Sequence, residues 1–144
     1  NESIGGAPLS DIFRDTEIPE SLLRSLSEEY MIGSFKNSKN DPFLILKSAS
    51  FPITFAGMLE WESEMTKDLL PLVKVAHDDV ELSTTTKPFE DSVIQNVDIR
   101  IARNQRGNII LAYAFPSKDT VVITTSENSL RHILSELLKV RTIQ

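Results

Sequence analysis

Cysteine is missing from this chain of 144 residues. That absence removes disulfides, thiolate nucleophiles and cysteine metal sites together, and leaves the compartment open. Histidine occurs only twice, at His77 and His132. Two imidazoles so far apart in sequence exclude a His-rich metal site. The five glycines stand at 5, 6, 33, 57 and 107. They are too sparse to cradle phosphates, and neither Gly-rich nucleotide motif occurs. No Gly-x-Ser-x-Gly elbow or Ser-x-x-Lys appears in a strand-to-helix context. No apolar run approaches the ~20 residues that span a bilayer. No charged-then-apolar signal peptide is visible, and a longer precursor is expected because the sequence opens at Asn1. Positive charge is short as well: 15 basic residues face 21 acidic ones, a net −6. On balance that surface repels nucleic acids and anionic membranes.

What is present suits one α+β domain. Hydrophobic residues make up 40% of the chain, enough for a core without staples. Residues 1–17 read as a linker or flexible segment, with Leu9, Ile12 and Phe13 able to dock. Residues 18–144 read as the single domain. Pro19-Glu20-Ser21 opens a helix carrying Leu22, Leu23 and Leu26. Tyr30–Phe35 and Phe43–Leu46 read as strands of a hairpin around Asn37–Asp41.

A long helix then starts at Phe51-Pro52, with Phe51, Phe55, Met58, Met65, Leu69 and Leu72 as its apolar face. Pro71 should end or kink it. Gly57 costs about 1 kcal/mol against Ala in a helix interior. The compensation expected is close approach of the helix to the sheet. Residues 73–89 read as an irregular connection, with a short strand near Val80–Leu82. Val97, Ile99 and Ile101 alternate as the buried face of a strand. A turn with a positive-φ Gly107 follows, then an apolar strand from Ile109 and a β-branched strand from Thr120. Thr125 or Ser126 caps a last helix with Leu130, Ile133, Leu134, Leu137 and Leu138 on one face.

The element order αββ-α-βββ-α predicts a five-stranded antiparallel sheet with helices packed on it. This order resembles that of the roadblock and longin domains, sheet-and-helix scaffolds used mainly for protein contacts, and in part that of profilin-like folds. The likeness is topological, and fold does not imply function.

Candidate chemistry is thin. His77-Asp78-Asp79 is the best cluster for a divalent ion or for acid–base work, against the plainer reading of a hydrated acidic loop. Glu60 and Glu64 share a helix face and read as solvated. Glu62 interrupts the apolar stripe; if buried, it needs a partner such as an Arg from the sheet. Trp61 and Phe51 are weighed as contact anchors against ordinary core. Arg100, Arg103 and Arg106 gather on one hairpin, either to receive an acidic partner or to armour an exposed strand edge.

Several stretches together resemble an uncharacterised family of bacterial proteins, chiefly from candidate-phylum lineages with small genomes. They are Pro19–Leu23, Asn40–Ile45, Phe55-Ala56-Gly57-Met58-Leu59-Glu60-Trp61-Glu62 and Val121–Thr125. Members of that family look like single-pass membrane proteins in which this domain follows an anchor and a linker. The resemblance implies an extracytoplasmic setting and supplies no chemistry, cofactor or catalytic residue. The resulting expectation is a non-enzymatic interaction domain with Trp61, Glu62, Arg100 and Arg103 as contact candidates. It needs no cofactor, and its partner is a protein or a second copy. The alternatives are a metal-assisted hydrolase using His77, Asp78 and Asp79, and a roadblock-like dimerising scaffold.

Overall fold

A computed structural model describes residues 2–4, 7–36, 40–77 and 88–143. The elements run β1 (Glu2–Ile4), α1 (Leu9–Ile12), α2 (Glu20–Ser25), β2 (Leu26–Lys36), β3 (Asn40–Ser48), α3 (Phe51–Asp68) and α4 (Leu70–Ala76). They continue with β4 (Glu90–Ile94), β5 (Val97–Arg103), β6 (Ile109–Ser117), β7 (Thr120–Thr124) and α5 (Glu127–Ile143). The class is α+β, built on one open antiparallel sheet ordered β1-β2-β3-β7-β6-β5-β4.

The early hairpin and the late meander join through β3 and β7, with Leu44 opposite Ile123 and Leu46 opposite Val121. The side-chain period of two then sorts neighbours onto opposite faces. Leu44, Leu46, Tyr113, Val121 and Ile123 meet Leu22, Met58, Trp61 and Met65 on one face. Phe43, Ile99, Ile101, Val122, Leu130 and Leu134 pack on the other. Helices α1 to α4 therefore cover the first face, and α5 covers the second. Ser126 caps α5, its hydroxyl accepting the Ser129 N–H at 3.1 Å.

The sheet is wider than the five strands expected. Six strands have five residues or more, and the three-residue β1 borders them. The added long strand is β4, which turns into β5 through Gln95 and Asn96, both at positive φ (52° and 65°). Two consecutive left-handed residues make the type I′ turn whose twist matches a two-residue hairpin. Order also begins before residue 18: Leu9 and Phe13 lie in the core, because their spacing turns both rings and chains inward from one helical turn.

Helix α3 sits rotated from the face that its large residues suggest. Its buried positions are Thr54, Gly57, Met58, Trp61 and Met65, while Phe55 is 40% exposed. The cause lies at Gly57. A Cβ there would fall 2.6 Å from Leu22 Cβ and 3.1 Å from Leu22 Cα. The close approach is thus to α2 and not to the sheet, and it turns the Gly57 side of α3 inward. Thr54 satisfies its buried hydroxyl between Ser25 and Ser48, each at 2.7 Å. Asp68 ends α3, the chain breaks at Leu69, and Pro71 enters the first turn of α4. A proline is tolerated there because the first helical N–H groups have no partner to lose.

Candidate functional site

A charged side chain, Glu62, sits largely buried in the helix–sheet interface. It projects from α3 toward the sheet, and its carboxylate is held by three donors. Arg100 gives Nε–H to Oε2 at 2.8 Å and Nη2–H to Oε1 at 2.7 Å. Tyr113 donates its hydroxyl to Oε2 at 2.6 Å. Arg100 and Tyr113 lie directly opposite each other on β5 and β6, so the sheet register brings both to one spot. The side chains of Arg100 and Glu62 are only 23% and 13% exposed. Bidentate geometry and low exposure make this a strong pair of its kind. The hydrogen bond to Glu62 and the nearby charges raise the Arg100 pKa further above its ordinary value. Burial first, and the bond to Glu62 second, push the Tyr113 hydroxyl well above its usual range. The phenol is therefore a fixed donor, and the Glu62 carboxylate is committed to structure.

Next to this cluster the sheet outruns the helices. Asp91, Arg100 and Tyr113 share the α3 face by register, as do Val93 and Asp98 one step along. Helix α3 covers Tyr113 and leaves the β4–β5 corner open. The result is a groove of about 400 Å³ lined by Phe55, Asp91, Val93, Asp98, Arg100 and Phe115, among others. Phe55 and Phe115 build its aromatic wall, with centroids 5.7 Å apart, and Phe51 packs against both. Val93 is 60% exposed on its rim. Asp91 already meets Arg100 Nη1 at 2.8 Å and remains largely exposed.

The candidates named from sequence separate here. Glu62 has the sheet arginine that its burial demands, and it is Arg100. Trp61 is 1% exposed, with its ring edge-on to Phe13, so it offers no surface to a partner. Its indole N–H donates to Asp68 at 2.8 Å, which satisfies the one polar atom of the side chain. Arg103 donates Nε–H to Glu90 and Nη1–H to the Gly107 carbonyl. The arginines do not armour an edge. Strand β4 pairs with β5 and makes the arginine-bearing strand internal. Groove residues Val93, Asp98 and Phe115 escaped the sequence reading. The only signal for Val93 was the lone valine and isoleucine amid polar residues at Glu90–Ile94.

The acidic cluster divides differently. Asp78 and Asp79 lie outside the described residues, as does the Val80–Leu82 segment. His77 caps the end of α4, where its Nε2 meets the Thr125 carbonyl oxygen. Its ring thus ties α4 to the end of β7. His132 is exposed on α5 and packs edge-on to Phe35. Among the described residues, no three His, Asp or Glu side chains gather as a metal cage. Among the same residues, no helix is long and apolar enough to cross a membrane. No protein-family model, curated protein or solved structure matches this chain.

Proposed function

We propose that this domain is a non-enzymatic interaction module that receives a protein partner at the groove between α3 and the β4–β5 corner. One observation carries the reading: a sheet edge that is unpaired among the described residues and an aromatic wall flank the same open concavity. Exposed apolar side chains grouped in a cleft mark contact surfaces more often than scattered ones do. The ionisable groups beside the cleft support it further. Glu62, Arg100 and Tyr113 spend their hydrogen bonds on one another. The likeness to anchored bacterial proteins adds an extracytoplasmic setting on an upstream anchor. Fractionation of cells expressing the full-length gene product tests that placement.

A screen for hydrolysis of ester, phosphoester and peptide substrates, with and without divalent metals, tests the non-enzyme reading. No turnover is expected. Robust turnover lost in His77→Ala would overturn it in favour of a metal-assisted hydrolase. A second reading, a roadblock-like dimerising scaffold, is favoured by the two sheet edges, β1 and β4, that stay open among the described residues. It requires a dimer in light scattering at high protein concentration.

A further inference from the structure

Among the described residues, β4 is the terminal strand of the sheet and pairs only with β5. A two-residue hairpin closes on a hydrogen-bonded pair, here Ile94 and Val97. Alternation along the ladder then turns the amides of Ser92 and Glu90 toward β5. The N–H and C=O groups of Asp91 and Val93 point away from the sheet. Natural edges are commonly blunted with charges, above all lysine, or with proline or a bulge, so the acids of β4 repel any strand that is not basic. Strand β4 has the sequence Glu-Asp-Ser-Val-Ile and keeps an unbroken register with β5. Among the described residues it is thus a strand edge without lysine, proline or bulge, whose charges are all negative.

The side chains flanking that edge complete the pattern. Asp91 and Val93 lie on the groove side, and Asp98 lies across from Val93 on β5. Asp91 and Asp98 are exposed carboxylates on either side of an exposed aliphatic stem. A lysine or arginine presented beside Val93 would lay its methylenes on Val93 and Phe55 and carry its charge to Asp98. A second, two residues along, would meet Asp91. The net charge of −6 attracts the same partner at longer range.

We infer that β4 accepts an extended peptide as a further strand, one with basic residues at alternate positions and β-branched residues between them. This rests on the interaction reading above and names its partner. Main-chain hydrogen bonds to Asp91 and Val93 supply affinity, and the acidic groove selects the side chains. A second copy of the chain fits less well, because it would bring its own acidic β4 to the same edge.

The test uses capped synthetic peptides of about ten residues, a length that pairs with the whole strand. One alternates Val and Lys, one alternates Val and Glu, and one is the Val/Lys peptide N-methylated at every second residue. Binding is read by fluorescence anisotropy and by amide exchange at β4. The Val/Lys peptide is expected to bind and to protect the Asp91 and Val93 amides. The Val/Glu and N-methylated peptides are expected to bind at least about tenfold more weakly. The variant Val93→Pro removes an outward N–H while sparing the bonds to β5, and should lose binding with its circular dichroism unchanged. Asp98→Lys should weaken binding about tenfold and flatten its salt dependence.

Equal binding of the N-methylated peptide, or unchanged binding by Val93→Pro, would overturn strand addition while leaving the interaction reading intact. Failure of all peptides would overturn the peptide assignment alone, because the interaction reading falls only to the turnover screen. A dimer that dissociates in Val93→Pro would make the occupant a second copy and overturn the proposal.

Discussion

Glu62 and Arg100, 38 residues apart, meet through two parallel hydrogen bonds of 2.7 and 2.8 Å across the interface of α3 and β5. The pair ties α3 to β5 in the rotation that the Gly57–Leu22 approach allows. Removing one member leaves the other charge poorly solvated, which costs more than the pair contributes net. Glu62→Gln should therefore lower unfolding free energy by about 2–3 kcal/mol in urea titrations. Adding Arg100→Met should recover part of that loss. Strictly additive losses would mean that the two side chains are uncoupled.

Tyr113 makes stability fall in alkali. Its folded-state pKa is raised above the unfolded value, so the protonated phenol is the form that folding favours. Its contribution is complete below the unfolded pKa of about 10, and is lost as pH rises above it. Over that window the slope should approach about 1.4 kcal/mol per pH unit. Tyr113→Phe should lower stability at neutral pH by about 1–2 kcal/mol and flatten the alkaline limb. Denaturation midpoints between neutrality and strong alkali provide the check, and an unchanged limb would assign the slope to other groups.

Gly57 is fixed by a neighbour rather than by a turn. Alanine there improves helix propensity by about 1 kcal/mol. It also drives a Cβ to 2.6 Å from Leu22 Cβ, with the Leu22 backbone close behind. Overpacking of that kind costs about 1–3 kcal/mol, so the expected net change is a loss of up to about 2 kcal/mol. Thermal melts of Gly57→Ala decide the sign. A stabilised variant would show that α2 slides away from α3 at little cost.

Asp68 receives the indole N–H of Trp61 and the backbone N–H of Glu17, both at 2.8 Å on the same oxygen. It fastens the segment after α1 to the end of α3. Asp68→Ala should cost about 1–2 kcal/mol and speed amide exchange at Glu17 before the rest of the core. Exchange that remains uniform would place the fastening elsewhere.

Much of this architecture is legible in the residues, and the exceptions have physical causes. Apolar alternation marks Val97–Ile101, and β-branched density marks Thr120–Thr124, because both strands bury side chains on a covered face. Strand β4 gives little such signal. Its Val93 faces an open groove and only Ile94 is buried. An edge strand on an uncovered corner has no need of the periodicity that reveals internal strands. Glu62 announces that it needs a cation, since it interrupts an apolar stripe. Which arginine answers depends on the β5–β6 register. Arg100 falls on the side of β5 that alternation alone would assign to water. The stripe of α3 misleads for a related reason: Phe51 and Phe55 rest on Phe115 at the rim, while Gly57 holds the inner line.

The seam between β3 and β7 has a consequence for biosynthesis. Phe43 to Lys47 find their second neighbour only in Thr120–Thr124, after α3, α4 and three further strands have been made. A ribosome releases the early hairpin long before its companion emerges. The nascent chain thus carries a greasy, half-dressed border until β7 has been made. Sheets closed by such distant pairings assemble slowly and are vulnerable to clumping meanwhile. Chain truncations that stop before Thr120 should accumulate with holdase chaperones or in inclusion bodies, whereas the intact polypeptide emerges soluble.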